Sequence, residues 1–554
     1  AEFGRNVPDE TVPDADKMEL GKIYHMGREE KADLILNRQA MASHTFVTGS
    51  TGTGKSNAVY HLLDEITKDG RTSFLVVEPA KGEYKNVFGS RADVKVFGTN
   101  PRETPLLRIN PFAFPQNIHI LEHIDRLVEI FNACWPMYAA MPAVLKDAIE
   151  RSYQKVGWDL RNSESEKGVF PTFFDLLDIL PGVIEESHYS KDTQSDYVGA
   201  LCTRVKSLTN GIYGSVLCAE DALTDEALFD RNVIVDLSRV GSMETKSLLM
   251  GILVMKLQEY RMCSSGMNSR LRHVTVLEEA HNLLRKTSAE QSQEGANLQG
   301  KSVEMLANAI AEMRTYGEGF IIADQAPGLL DMSVIRNTNT KIILRLPDEE
   351  DRKLVGKSAA LKEAQIDELS KLPLGVAAVY QNEWPEAVLC KIEAYPMPEN
   401  AVYHKPSKMP REINAEFVFG QLAVGKELEP LSSSEMEQLK LWLKRHETVL
   451  KPEDGRYLEQ VFAGGELDVA KTRKAVFDFF GGISTVVDYC AAAEKSFTPR
   501  KEFLEQLQGQ YGLKAAAADW VLNSVISMGM SLNPDAEAVE DLRTNFEQQG
   551  GRVL

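Results

Sequence analysis

The chain has 554 residues, 43% hydrophobic and 26% charged, with 81 acidic against 62 basic side chains and a net charge of −19. That length exceeds what one hydrophobic core organises and predicts about two to four domains. The acidic balance argues against wrapping nucleic acid over the outer surface but leaves a locally basic groove or pore open, so charge alone does not decide DNA binding.

Six cysteines (Cys134, Cys202, Cys218, Cys263, Cys390, Cys490) form no C-x-x-C pair. They read as buried small residues of a reducing compartment, with no zinc ribbon or disulfide frame. The apolar run 248–255 is bounded by Lys246 and Lys256 and falls short of the ~20 residues that span a bilayer. Residues 1–17 are polar, acidic and unlike a signal peptide. The expectation is a cytoplasmic protein without a membrane anchor.

In chain order, residues 1–17 read as a disordered tail. Two extended runs, 21–24 and 32–36, suggest the end of a small β domain, so that residues 1–42 form a tail and a partial β-barrel segment; the native chain could begin further upstream. Next comes the stretch that organises the rest. Gly49-Ser50-Thr51-Gly52-Thr53-Gly54-Lys55-Ser56 fits G-x-x-x-x-G-K-[ST] at every fixed position. A short β-branched strand (44–48) precedes it and a helix from Asn57 onward follows. The glycines let successive N–H groups and the helix N-terminus converge on one anion. Lys55 then reaches the β/γ-phosphates and the Ser56 hydroxyl takes a place on Mg²⁺. Residues 49–57 are the candidate nucleotide contacts, and the chain is expected to bind ATP.

Strands and helices then alternate, which predicts a mainly parallel sheet with crossover helices over 43–117 and 230–395. The strand 72–78 delivers Glu78-Pro79-Ala80-Lys81-Gly82-Glu83-Tyr84 at its carboxyl end, where ligands sit in open α/β sheets. Residues 118–229 are helical in pattern and read as an insertion. The sheet resumes at 232–237, followed by a helix over 243–262. Strand 274–277 ends in Glu278-Glu279. There the first acid is the candidate Mg²⁺ ligand and the second orients or deprotonates the attacking water. Residues 285–301 are polar and read as a mobile loop. After the strand 319–323 stands Asp324-Gln325, with Gln325 suited to contact the γ-phosphate or the attacking water. Strands 340–346, 376–381 and 387–392 complete the sheet, the last two as an antiparallel edge hairpin. For transition-state charge an arginine from a neighbouring subunit is expected: Arg314 first, then Arg345 and Arg336. Beyond a Pro-punctuated linker (396–410), residues 411–554 are mostly helical and carry no chemical motif.

Taken together, His44 through Ser56, Glu78 through Tyr84, Ile109-Asn110-Pro111-Phe112, Glu278-Glu279-Ala280-His281, Arg314 through Gly317 and Gln325-Ala326-Pro327 resemble the HerA-like branch of the HerA/FtsK superfamily of ring ATPases. The resemblance covers about residues 20–395. It implies a RecA-like P-loop core, a hexameric ring that moves double-stranded DNA through its centre, nucleotide pockets at subunit interfaces, and a partner nuclease or other effector in DNA-end processing or antiphage defence. Carried onto this chain it gives Lys55 and Ser56 for phosphate and Mg²⁺, Glu279 for water activation and Gln325 as sensor. Three positions depart from the pattern. Glu278 replaces the usual Asp, Ser43 replaces an arginine ahead of His44, and Asp324 replaces a Thr or Ser. Lys81, Lys85, Arg285, Lys286 and Lys301 are candidate pore-lining cations, each equally compatible with a solvated loop. The alternative is an ATP-gated ring scaffold that assembles and regulates an effector enzyme; a conjugation-type coupling ATPase is weaker for want of a visible membrane anchor.

Overall fold

The computed structural model describes residues 2–138, 140–165, 168–219, 222–287, 293–397, 401–406 and, with interruptions between 407 and 449, the remainder to 554 apart from 512–514. Thirteen strands are described: β1 Lys17–His25, β2 Arg28–Asn37, β3 Thr45–Thr48, β4 Ser73–Glu78, β5 Val94–Gly98, β6 Trp158–Asp159, β7 Glu164–Ser165, β8 Asn232–Asp236, β9 His273–Glu278, β10 Glu318–Asp324, β11 Thr340–Ile343, β12 Val376–Gln381 and β13 Val388–Lys391. Eleven of them form one sheet in the order β2-β1-β13-β12-β11-β3-β10-β9-β4-β8-β5, while β6 and β7 make a separate two-stranded ribbon.

The run from β11 through β5 is parallel, and β12, β13, β1 and β2 extend it antiparallel. In β3, β4, β8, β9 and β10 every residue is buried, because helices cover both faces; this is why these strands read as continuous apolar runs. Alternate residues serve opposite cores. Leu75, Val77, Leu277 and Phe320 join the cluster that includes the long helix Met243–Ser264, while Phe74, Val76, Val276 and Ile321 join the one built on the helix Lys55–Thr67. Each such Val, Leu, Ile or Phe contributes roughly 1.5–3 kcal/mol of burial. Between β5 and β8 the chain makes helices Ile120–Cys134, Met141–Lys155, Phe173–Glu186 and several shorter ones.

The amino-terminal hairpin, expected as the end of a small β domain, continues into the main sheet through antiparallel pairing of β1 with β13. Residues 2–16 are not a free tail. Phe3 is buried, Gly4 N donates to Ala387 O, and Asp16 takes a side-chain hydrogen bond from Gln39. One apolar anchor and a few backbone bonds suffice to order a stretch whose composition is otherwise polar. The expected loop 285–301 is also revised: the helix Gln293–Glu312 begins inside it. Its Gln, Glu, Ala and Leu residues are good helix formers, and the polar composition hides them; residues 288–292 lie outside the described residues.

Contacts divide the chain into a unit of residues 1–68 and 72–406 and a second of 69–71 and 407–554. The second has its own core, in which Leu458, Phe477, Tyr489, Val521 and Phe546 are buried, and its described helices run from Pro452–Phe462 to Ala536–Gln548. Part of the expected linker and of the helical region falls outside the described residues. Among the described residues no single helix is long and apolar enough to cross a membrane.

Candidate active site

The phosphate loop leaves the carboxyl end of β3, the central strand of the eleven-stranded sheet. Gly52 (φ 77°) and Gly54 (φ 106°) take left-handed backbone conformations that suit glycine. At Gly49 a Cβ would lie 2.6 Å from Thr53 Oγ1 and 2.7 Å from Leu344 Cβ, so this position excludes a side chain on contact grounds. The loop is braced internally by Thr53 Oγ1 donating to Ser50 O at 2.7 Å, and externally by Ser50 N donating to Arg345 O at 3.0 Å.

Lys55 opens the helix and reaches across to the end of β9. Its Nζ donates to Glu278 Oε2 at 2.7 Å and to Glu279 Oε1 at 3.0 Å. Burial works against the ammonium charge, but the two carboxylates hold the Lys55 pKa above its ordinary value. Glu278 is buried, and Tyr84 Oη donates to its other oxygen. Glu279 turns the corner after β9 with φ 46° and ψ 52°, a left-handed conformation that costs a non-glycine residue about 1–3 kcal/mol. Burial holds its carboxyl above the usual carboxylate range, against the pull of Lys55. A base placed this way needs less driving force to take a proton near neutral pH.

Gln325 follows β10, the neighbour of both β3 and β9. Thr51 Oγ1 donates to Gln325 Oε1 at 2.9 Å, linking the tip of the phosphate loop to the sensor position. The structure thus brings Lys55, Glu278, Glu279, Thr51 and Gln325 together at one end of the sheet. Ser56 stands beside Lys55 at the helix start, within hydrogen-bonding reach of Tyr60. The Ser56 hydroxyl and Glu278 carboxylate are hard oxygen donors of the kind Mg²⁺ takes. The ammonium now seated between Glu278 and Glu279 shows that this acidic pair accepts a cation.

Two expected residues need correction. The Asn57 side chain is committed elsewhere, since Nδ2 donates to Glu393 O and Oδ1 accepts from Tyr395 N; only its backbone is left for a nucleotide. Lys85 is not a pore cation. Its Nζ is engaged in ion pairs with Asp236 and Glu103, whereas Lys81, Arg285, Lys286 and Lys301 are exposed.

The three candidate arginines separate by position. Arg345 follows β11 and lies beside the phosphate loop through the Ser50 contact to its carbonyl. Arg314 precedes β10 and Arg336 precedes β11. Both line a cleft of about 570 Å³ with Ser43, Asn308 and Asn339, at the amino ends of the strands. β10 has seven residues, which at ~3.3 Å each separates that cleft from Gln325 by roughly 20 Å. Arg314 cannot serve the Lys55 site of its own chain.

Sequence reasoning missed three contributors. Tyr84 stood in a motif without a role, and the structure gives it Glu278. Glu78 accepts from Glu83 N at 2.8 Å and Tyr84 N at 3.2 Å, and burial pushes its carboxyl up to about 7. Asp324, fully buried, accepts from His281 N at 2.8 Å and from His281 Nδ1 at 2.9 Å. That hydrogen bond raises the His281 pKa. Only the strand-end placement of Asp324 hinted at it.

Residues 18–256 match the family model described as the central domain of helicase HerA. The DNA double-strand break repair helicase HerA of Sulfolobus acidocaldarius is 25% identical over 399 residues, covering 70% of this chain and 71% of that protein. The protein of the same name from Saccharolobus solfataricus is 22% identical over 386 residues, covering 66% and 69%. Among solved structures, VirB4 of Thermoanaerobacter pseudethanolicus superposes with a TM-score of 0.50 at 18% identity, covering 70% of this chain and 98% of that one. This last likeness is one of fold.

Proposed function

Because this chain belongs to the HerA-like ATPases of the HerA/FtsK superfamily, we propose that it is a cytoplasmic hexameric ring motor that hydrolyses ATP to bind and move double-stranded DNA. A partner nuclease or other effector, in DNA processing or antiphage defence, completes the proposal. The observation that carries it is the grip of Glu278 and Glu279 on Lys55 at the mouth of the phosphate loop. Phosphate binder, metal ligand and base converge there on one point.

In this reading the phosphates of ATP bind the loop amides and draw Lys55. Ser56 and Glu278 hold Mg²⁺, which supplies charge neutralisation for the phosphates when bound. Glu279 takes the proton of the attacking water, and Gln325, released from Thr51, orients that water and reports the γ-phosphate. Arg314 of one protomer reaches the γ-phosphate held by the next. A heterologous interface of this kind generates a ring when its rotation closes. Arg336, in the same cleft, assists. Exposed Lys81, Arg285, Lys286 and Lys301 offer phosphate-backbone contacts in the pore.

A second reading, an ATP-gated ring scaffold for an effector enzyme, is favoured by the second unit, which exposes Phe497, Ile483 and Val487 to solvent. Two measurements separate them: particle mass with and without ATP, and ATP hydrolysis with and without duplex DNA. A motor gives a six-subunit species and DNA-stimulated turnover. Oligomers that neither bind duplex nor respond to it favour the scaffold, and a chain that stays single and leaves ATP intact contradicts both.

A further inference from the structure

The two carboxylate oxygens of Glu279 have different surroundings. Oε1 accepts from Lys55. Oε2 is buried without a hydrogen-bond partner, an arrangement unfavourable for a polar group. Facing it at 3.6 Å is Nδ1 of His281, too long for a hydrogen bond but one small ring movement away from it.

His281 is itself held from a rigid element. Asp324 ends β10, which pairs in parallel with β9 (Ala323 opposite Glu278), so its carboxylate has a fixed position relative to Glu279. Oδ2 of Asp324 accepts both the backbone N–H and Nδ1 of His281, and Oδ1 accepts Ala326 N at 2.9 Å. The backbone bond keeps the 280–282 turn in place even if the ring turns toward Glu279. The left-handed backbone at Glu279 fixes the direction of its side chain from the other side.

We infer that His281, gripped by Asp324, is a positioning residue for Glu279: its Nδ1–H donates to the free Glu279 oxygen when the phosphates of ATP draw Lys55 away. This rests on the reading of Glu279 as the water-activating carboxylate. A phosphate group outcompetes a carboxylate for the lysine through its greater charge. Glu279 then loses the hydrogen bond that holds its Oε1, and an unheld carboxylate in a buried site rotates. His281 supplies the replacement donor from the side away from the loop, leaving the other oxygen aimed at the attacking water.

The test is steady-state ATP hydrolysis, with nucleotide affinity followed separately by a fluorescent ATP analogue, on the full chain carrying His281→Asn, His281→Gln, Glu279→Gln and the Glu279→Gln/His281→Gln pair. The Asn amide nitrogen sits where Nδ1 does; the Gln amide extends past it. His281→Gln is expected to lower kcat on the order of 10- to 100-fold, the loss typical of a misplaced catalytic group, with nucleotide affinity within about twofold of wild type. His281→Asn should recover most of the rate, and the pair should be no slower than Glu279→Gln alone. Wild-type kcat in His281→Gln, an Asn variant as slow as the Gln variant, or a further loss in the pair equal to the loss in wild type overturns the inference. Should His281→Gln not fold, His281→Ala replaces it with the same expectations. Full turnover in Glu279→Gln removes the underlying assignment instead, and is read independently of His281.

Discussion

Lys55 Nζ donates to Glu278 Oε2 at 2.7 Å across 223 residues of sequence. One cation thereby joins the phosphate loop to the acidic end of β9. Replacing it acts on both. Lys55→Ala should abolish nucleotide binding or lower turnover by roughly 1,000-fold, since the loop loses its β/γ-phosphate ligand. It should also lower the unfolding midpoint, because the buried Glu278 and largely buried Glu279 carboxylates are left without their partner. Equilibrium binding of an ATP analogue and a thermal melt check the two effects.

Glu279→Gln keeps the shape of the side chain and removes its basicity. Nucleotide affinity should be unchanged while turnover falls about 100- to 10,000-fold, the range for loss of a general base. Full activity in this variant refutes the water-activating role.

The Thr51–Gln325 bond predicts an asymmetric pair of variants. Gln325→Ala should lower kcat on the order of tenfold or more with little effect on ATP affinity, because Gln325 acts on the water. Thr51→Val removes only the loop's hold on Gln325 and should leave kcat within about threefold of wild type. Rates at saturating ATP decide; equal losses in both would mean the bond, and not the amide, matters to turnover.

His44 gives a pH prediction. Its Nδ1 accepts from Phe320 N at 2.9 Å, Nε2 faces Ala311 O at 3.4 Å, and burial depresses its pKa to about 4. The unfolded chain, with a histidine pKa near ~6.5, takes up this proton first as pH falls. The stability from neutral His44 is therefore fully present above about 6.5 and is lost between there and about 4, in total on the order of 3 kcal/mol. His44 also carries φ 69° and ψ 154°, a region nearly confined to glycine and a strain that Asn would share with His. His44→Asn should flatten the acid limb of a stability–pH curve measured by denaturant unfolding. An unchanged slope contradicts the assignment.

At the amino ends of the strands, Arg261 is fully buried and donates to Glu318 at 2.8 Å and Asp230 at 2.7 Å. Glu318 also takes His273 and Thr275. Arg261→Met leaves a buried carboxylate without its cation and should cost about 3–5 kcal/mol, read as a lower urea midpoint, with the remaining folded protein still binding ATP.

How much of this was legible in the sequence follows from distance along the chain. The phosphate loop, Glu278-Glu279 and Gln325 are contiguous signals at strand ends, and a parallel sheet gathers such ends on one edge, so their meeting followed from the pattern. Tyr84 with Glu278, Thr51 with Gln325 and His281 with Asp324 are pairings between separate elements, set by strand order, which alternation alone does not supply. Composition misled where packing decided. Phe3 orders a polar tail, the polar residues after 292 are helical, Asn57 is used by residues 393 and 395, and Lys85 is neutralised inside the fold. The arginines separate by which end of a strand each occupies: Arg314 and Arg336 precede β10 and β11, and Arg345 follows β11.

The most direct test of a site shared between neighbours is complementation. Lys55→Ala and Arg314→Ala chains are co-assembled in equal amounts, and ATP hydrolysis is measured with duplex DNA present. Each variant alone should be inactive. In mixed rings about a quarter of the interfaces, by random pairing, unite an intact Lys55 with an intact Arg314, so activity should return to roughly that fraction of wild type. A mixture no more active than either parent would contradict the account.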